Sequence, residues 1–192
     1  MPFNIPIFLT WLRILLIPLM IGIYYVPGAW INGIGRDLAA MLVFVIAGLT
    51  DWLDGYLARR WNETSAFGAF LDPVADKLVV AAALIMLVQL GRLDAVLAAI
   101  IIGREITISA LREWMAQVGA HKSVAVSMIG KIKTAAQMIA IPLLLYHQPI
   151  SRFDVQYIGT WLIYVAAVLT LWSMGYYMRM AWPHLAEQSR KH

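Results

Sequence analysis

Asp51 to Asp76 reads DWLDGYLARRWNETSAFGAFLDPVAD, and the rest of the chain is organised around this stretch. It holds five of the eleven acidic residues, four of them Asp, between two long apolar runs. Asp51 and Asp54 are three positions apart, and Asp72 and Asp76 are four apart. On helices, each pair falls on one face. Ionisable side chains at membrane depth are costly and mark functional sites. Four carboxylates facing one another repel unless cations lie between them. The stretch therefore predicts a metal site at or near a membrane surface.

Composition supplies the membrane. Of 192 residues, 61% are hydrophobic and only 14% charged, with a mean hydropathy of +0.73. An ordinary soluble domain is about 45–50% apolar and about 25% charged. The chain is expected to be an integral membrane protein, a single transmembrane domain over residues 1–192 of all-α class. It has no Cys, which excludes disulfides, thiolate nucleophiles and thiolate metal sites. The net charge of +4 suits contact with anionic headgroups. No nucleic-acid partner is expected. Several of the eight Trp and eight Tyr flank the apolar runs, where an interfacial belt would put them.

Working outward, six apolar runs are expected to span the bilayer: 7–26, 38–57, 73–90, 95–115, 124–146 and 155–180. Each is near the ~20 residues that about 30 Å of hydrocarbon requires. Pro73 is expected in the first turn of the third helix. The first run is not read as a signal peptide, because no Lys or Arg precedes it and no small-residue cleavage site follows. Arg13, inside that run, reads either as a snorkelling anchor or as a phosphate ligand. One set of connections carries Arg59, Arg60, Arg112, Lys122, Arg179, Arg190 and Lys191; the other has Arg36, Arg92 and Arg152. The positive-inside rule then puts both termini and the Asp51–Asp76 stretch on the cytoplasmic side.

The chemistry follows from residue type. Hard divalent cations take oxygen ligands, and Mg²⁺ is commonly shared between a few carboxylates and substrate phosphates. A pair of such metals can clamp the attacking and leaving oxygens of a phosphoryl displacement. The stretch has no His, which argues against a His-rich zinc site. Gly55, Ala58, Gly68 and Ala69 allow close approach of backbone or ligand, although Gly68 also suits plain helix packing. The fork of Arg59 suits a phosphate or pyrophosphate. Arg60 reads as a topology anchor.

Asp51-x-x-Asp54-Gly55-x-x-Ala58-Arg59, eight residues, then Gly68-x-x-x-Asp72-x-x-x-Asp76 resembles the signature of the CDP-alcohol phosphotransferase family, with all eight fixed positions present. The likeness continues through Asn4-Ile5-Pro6, Leu9-Thr10 and Arg13, Arg104-Glu105, and Gly130-Lys131-x-Lys133-Thr134. It implies a six-helix membrane fold, a homodimer and two divalent cations, Mg²⁺ or Mn²⁺. Asp51, Asp54 and Asp72 would hold one metal, and Asp51, Asp72 and Asp76 the other. The choice of Asp76 as general base comes from the resemblance alone. Gly55, Arg59 and Ser65 would contact the CDP part of CDP-diacylglycerol, with Ala58 and Gly68 making room. The implied setting is phospholipid biosynthesis at a bacterial inner membrane.

Arg104, Thr107, Arg112, Lys131 and Lys133 form a second candidate group. Arg104 and Arg112 are eight apart, a little over two helical turns, so they point broadly to one side. Thr107 neighbours Arg104. Such a cluster suits the phosphate of an acceptor such as glycerol 3-phosphate. It also reads as a set of inside-positive anchors, with Glu105 neutralising one of them. The whole-chain likeness favours glycerol 3-phosphate over inositol phosphate, serine or phosphatidylglycerol. A divalent-cation transporter is a rival from another class. It fits less well, because transporter sites lie near the midplane on repeated helices, and the chain shows no inverted repeat.

Overall fold

The computed structural model describes residues 5–61, 66–117, 128–150 and 154–189. Among them are six α-helices: α1 (Ile5–Gly22), α2 (Gly33–Trp61), α3 (Ala66–Gln89), α4 (Ala95–Gln117), α5 (Met128–Tyr146) and α6 (Val155–Ser189). A short 3₁₀ turn, Ile23–Tyr25, follows α1. The all-α bundle agrees with the sequence. Asp94 and Asp154 start α4 and α6 as N-caps, accepting from the amides of Val96 (2.8 Å) and Tyr157 (3.0 Å). Gly91, at φ 68°, closes α3 in the left-handed conformation.

One boundary differs in kind. α3 begins at Ala66, so Pro73 lies inside the helix rather than in its first turn. Proline there removes a backbone bond to the preceding turn. Membrane helices tolerate this because neighbouring groups satisfy the freed carbonyl.

Three described helices carry stretches long and apolar enough to cross a bilayer: Phe8–Tyr25, Gly33–Leu57 and Val155–Trp182. α5 contributes a shorter apolar segment, Ile132–Tyr146. α3 and α4 are interrupted by charge: Asp72, Asp76 and Lys77 on one, Arg104, Glu105, Arg112 and Glu113 on the other. Those charges mark the candidate site. Leu15, Trp30, Leu49, Trp52, Val168 and Trp172 are exposed on the outside of the bundle, as a lipid-facing surface requires. The chain is a multi-pass membrane protein.

α1 packs against α2 and α3; α5 packs against α6 and α2; α4 packs against α6 and α3. The main core runs through Met20, Phe44, Leu84, Leu87, Ile101, Ile141 and Leu144, all buried. At Gly159 a Cβ would stand 3.0 Å from Leu144 Cγ, so its absence lets α6 lie close to α5.

The end of the bundle away from the acidic stretch is locked by one ion pair. The Gly91 turn aims Arg92 back at Asp37, which is 4% exposed. Arg92 Nη2 lies 2.8 Å from both carboxylate oxygens of Asp37, and Nη1 donates to the Leu145 carbonyl at 2.6 Å. The Tyr24 hydroxyl donates to the same Asp37 at 3.2 Å. Four chain segments thus meet at this ion pair. Replacing Arg92 by Met is expected to destabilise the protein by about 3–5 kcal/mol, because it leaves a buried charge unpaired. The double variant Asp37→Leu/Arg92→Met should recover most of the loss. Thermal unfolding in detergent checks both; additive losses would show that the pair is not coupled.

Candidate metal and phosphate site

α1 lies along α2 and α3, and two of its residues reach the acids. Arg13 is 1% exposed. Its Nη1 stands 2.8 Å from Asp51 Oδ1, and Nη2 donates to Asp54 Oδ2. One turn earlier, Thr10 Oγ1 donates to Asp72 Oδ1. Arg13 is therefore neither a snorkelling anchor nor a group facing bulk solvent; it is a buried counter-ion.

The four aspartates are unequal. Asp54 is 4% exposed, Asp51 and Asp72 are intermediate, and Asp76 is exposed. Asp51 and Asp72 both lie close enough to bear electrostatically on Asp54. Asp51 and Glu105 bear on Asp76. The three- and four-residue spacings account for each pair, and α1 reaches both pairs through Arg13 and Thr10 at one end of the bundle.

The donor set fits hard divalent cations. Every candidate ligand is a carboxylate oxygen, and the Arg13 guanidinium pairs with only two of the four, Asp51 and Asp54. Among the described residues, no three acidic or His side chains already converge as a closed cage. Instead, Arg13 and Thr10 occupy oxygens of three of the four aspartates.

The basic residues assemble beside this group. Lys133, also 1% exposed, donates to Glu105 Oε1. Arg104 Nη1 stands 3.7 Å from Glu105 Oε2, and its Nη2 donates to Ser173 Oγ at 2.9 Å. Arg112 lies over the Tyr177 ring at 5.1 Å and donates to its hydroxyl at 3.1 Å. Arg104 is 5.9 Å from the same ring. The Nε atoms of Arg104 and Arg112 are buried without a partner among the described residues. Asp76 in turn bears electrostatically on Lys133.

Some expected residues are not drawn in. Thr107 is exposed and donates to its own helix at the Gly103 carbonyl (2.7 Å). Arg60, read as a topology anchor and not as a ligand, turns to the Tyr56 hydroxyl at 3.0 Å on the exposed side of α2. Gly55 follows Asp54 on α2, and Gly68 is buried on α3, one turn before Asp72. Ser65 and the side chains of Ala58, Arg59 and Lys131 lie outside the described residues.

Two contributors escape a reading of the sequence, Ser173 and Tyr177. Their four-residue spacing puts both on one face of α6, and that is the signal that would single them out. They sit among the aromatic residues of a helix that reads as lipid-facing throughout. Two apolar grooves flank α3. One, of about 330 Å³, lies against α4 and includes Leu78, Ile102 and Glu105. The other, of about 530 Å³, lies against α1 and includes Ile14, Ile21 and Ile85.

The family model described as CDP-alcohol phosphatidyltransferase matches residues 3–172. The chain is 50% identical over 190 residues to the CDP-diacylglycerol–glycerol-3-phosphate 3-phosphatidyltransferase of Escherichia coli (strain K12). It is equally similar to proteins of the same name from Shigella flexneri and Salmonella choleraesuis. Each match covers 98% of this chain and 100% of the relative.

Proposed function

We propose a reaction for a chain that belongs to the CDP-alcohol phosphatidyltransferase family: it moves the phosphatidyl group of CDP-diacylglycerol to glycerol 3-phosphate, giving phosphatidylglycerophosphate and CMP. Its full-length relatives carry the name of that enzyme. The observation that carries the proposal is the Glu105 carboxylate held by Lys133 and Arg104 in the same bundle whose aspartates Arg13 and Thr10 engage. A donor bearing a diphosphate and an acceptor bearing a phosphate need both kinds of surface within one site.

In this reading the donor's tails lie in the apolar grooves beside α3, and its headgroup reaches the aspartates. Gly55, Ala58, Arg59, Ser65 and Gly68 surround the CDP portion. Arg104, Arg112, Lys131 and Lys133 draw in the acceptor phosphate, with Ser173 and Tyr177 orienting the two arginines. The acceptor hydroxyl oxygen bonds to the phosphorus that carries the diacylglycerol, and the bond from that phosphorus to CMP breaks. The hydroxyl proton passes to the carboxylate of Asp76. Asp51, Asp54, Asp72 and Asp76 would hold two divalent cations, Mg²⁺ or Mn²⁺, which when bound supply charge neutralisation at the diphosphate and at the departing CMP. A homodimer in a bacterial inner membrane, with both termini and the site on the cytoplasmic side, completes the proposal.

Inside-out membrane vesicles from cells making the protein are expected to release CMP from CDP-diacylglycerol when glycerol 3-phosphate and Mg²⁺ or Mn²⁺ are added outside. Sealed right-side-out vesicles are expected not to do so. No CMP from either preparation, or from purified protein with any of the alcohols above, would refute the transferase. Release with serine preferred over glycerol 3-phosphate would refute only the acceptor.

A further inference from the structure

We propose that Arg13 is a built-in counter-cation that holds the acidic cluster together without metal and yields its place when divalent cations bind, so that it sets the protein's metal affinity. The inference rests on reading Asp51, Asp54, Asp72 and Asp76 as the metal ligands.

The geometry is specific. Arg13 sits at 1% exposure on a helix that is apolar around it apart from Thr10, with Leu12 and Ile14 as its neighbours in sequence. A guanidinium is buried there only because two carboxylates of α2 face it. Those two, Asp51 and Asp54, are separated by a single helical turn, so one planar fork reaches both. Thr10, one turn away on the same face of α1, engages Asp72 on α3. α1 therefore ties the acid-bearing ends of α2 and α3 together through side chains.

The arrangement is not saturated. Arg13 Nη1 faces Asp51 at 2.8 Å as an ion pair without hydrogen-bond alignment. Its Nε is buried and has no partner among the described residues. A guanidinium offers five donors, and here it is held by charge more than by a completed hydrogen-bond set. A divalent cation binding the same oxygens carries twice the charge and repels Arg13 at close range. The ligand oxygens then exchange one cation for another, and the fork is free to turn toward an anionic group such as a diphosphate. Arg13 acts in this scheme as a positioning residue and not as a catalytic one.

The test is Mn²⁺ binding to the purified full chain in detergent without substrates, followed by electron paramagnetic resonance, with thermal unfolding in parallel. Arg13→Gln is expected to bind Mn²⁺ at least about tenfold more tightly, because a repelling charge is gone. Its metal-free form should melt lower than the unaltered protein, and Mn²⁺ should raise its melting temperature by more. Arg13→Lys, a point charge that reaches one carboxylate, should fall between the two. If the Gln variant does not survive purification without metal, purification in Mn²⁺ should rescue it. Affinity in Arg13→Gln or Arg13→Lys that is equal to or weaker than in the unaltered protein overturns the proposal. So does a loss of stability that Mn²⁺ leaves unchanged. Absence of Mn²⁺ binding by the unaltered protein and both variants would instead overturn the underlying metal reading, and this proposal with it.

Discussion

Replacing Asp76 by Asn is expected to cut CMP release by about 10²–10⁴-fold, the range general-base removal commonly costs, with little change in melting temperature. The expectation comes from where Asp76 stands. Asp76 is exposed, while Asp54 is buried against Arg13. An isosteric amide at an exposed position removes a proton acceptor and a charged ligand without unburying anything. Glu105 bears on the Asp76 charge and Asp76 bears on Lys133, so the substitution falls where the two substrates would meet. Asp54→Asn gives the contrast. It should lose activity as well, but it also weakens the partner set of a buried guanidinium, and its melting temperature should fall. CMP release and thermal unfolding measured side by side separate these outcomes. An Asp76→Asn protein retaining more than about a tenth of the activity would remove Asp76 from the role of base.

The contrast between these aspartates shows what is legible in the sequence. The spacings within Asp51–Asp54 and Asp72–Asp76 follow from helical periodicity, so the local pattern alone assigns each pair to one face. The signature from Asp51 to Asp76 points to the chemistry. Arg13 is harder, because its partners Asp51 and Asp54 lie on another helix about forty positions away. Whether Arg13 or Trp11 faces α2 depends on how α1 is rotated and where the helices cross, and a local pattern does not encode that crossing. The same holds for Asp37 and Arg92, which are 55 positions apart. Read separately, they are a helix-start acid and a turn arginine; together they lock one end of the bundle. Ser173 and Tyr177 are hidden for a different reason. α6 carries Trp161, Tyr164, Trp172 and Tyr176 exposed on its outer faces, and this aromatic background masks two inward polar groups. Pro73 misleads about the boundary because proline commonly starts helices, whereas here the flanking segment from Ala66 already coils.

The basic group yields the second large effect. Lys133→Met is expected to raise the KM for glycerol 3-phosphate by roughly 10- to 100-fold, since a hydrogen bond to a charged group contributes about 1.5–3 kcal/mol. The KM for CDP-diacylglycerol should change little. Lys133 and Arg104 both face the Glu105 carboxylate, Lys133 through a direct hydrogen bond and Arg104 at 3.7 Å. An anion between two cations is the place a phosphate would take, and Glu105 would hold the pair aligned until one arrived. Glu105→Gln should therefore act in the opposite direction and lower the acceptor KM, because the phosphate no longer competes with a fixed negative charge. Removing Lys133 alone leaves Glu105 facing only Arg104, so some loss of stability is expected, and rates must be scaled to folded protein. Combining Lys133→Met with Glu105→Gln should restore much of that stability and little of the acceptor affinity. Steady-state rates with each substrate varied in turn distinguish these effects. A Lys133→Met protein whose defect lies in the CDP-diacylglycerol KM would move Lys133 from the acceptor side of the site to the donor side.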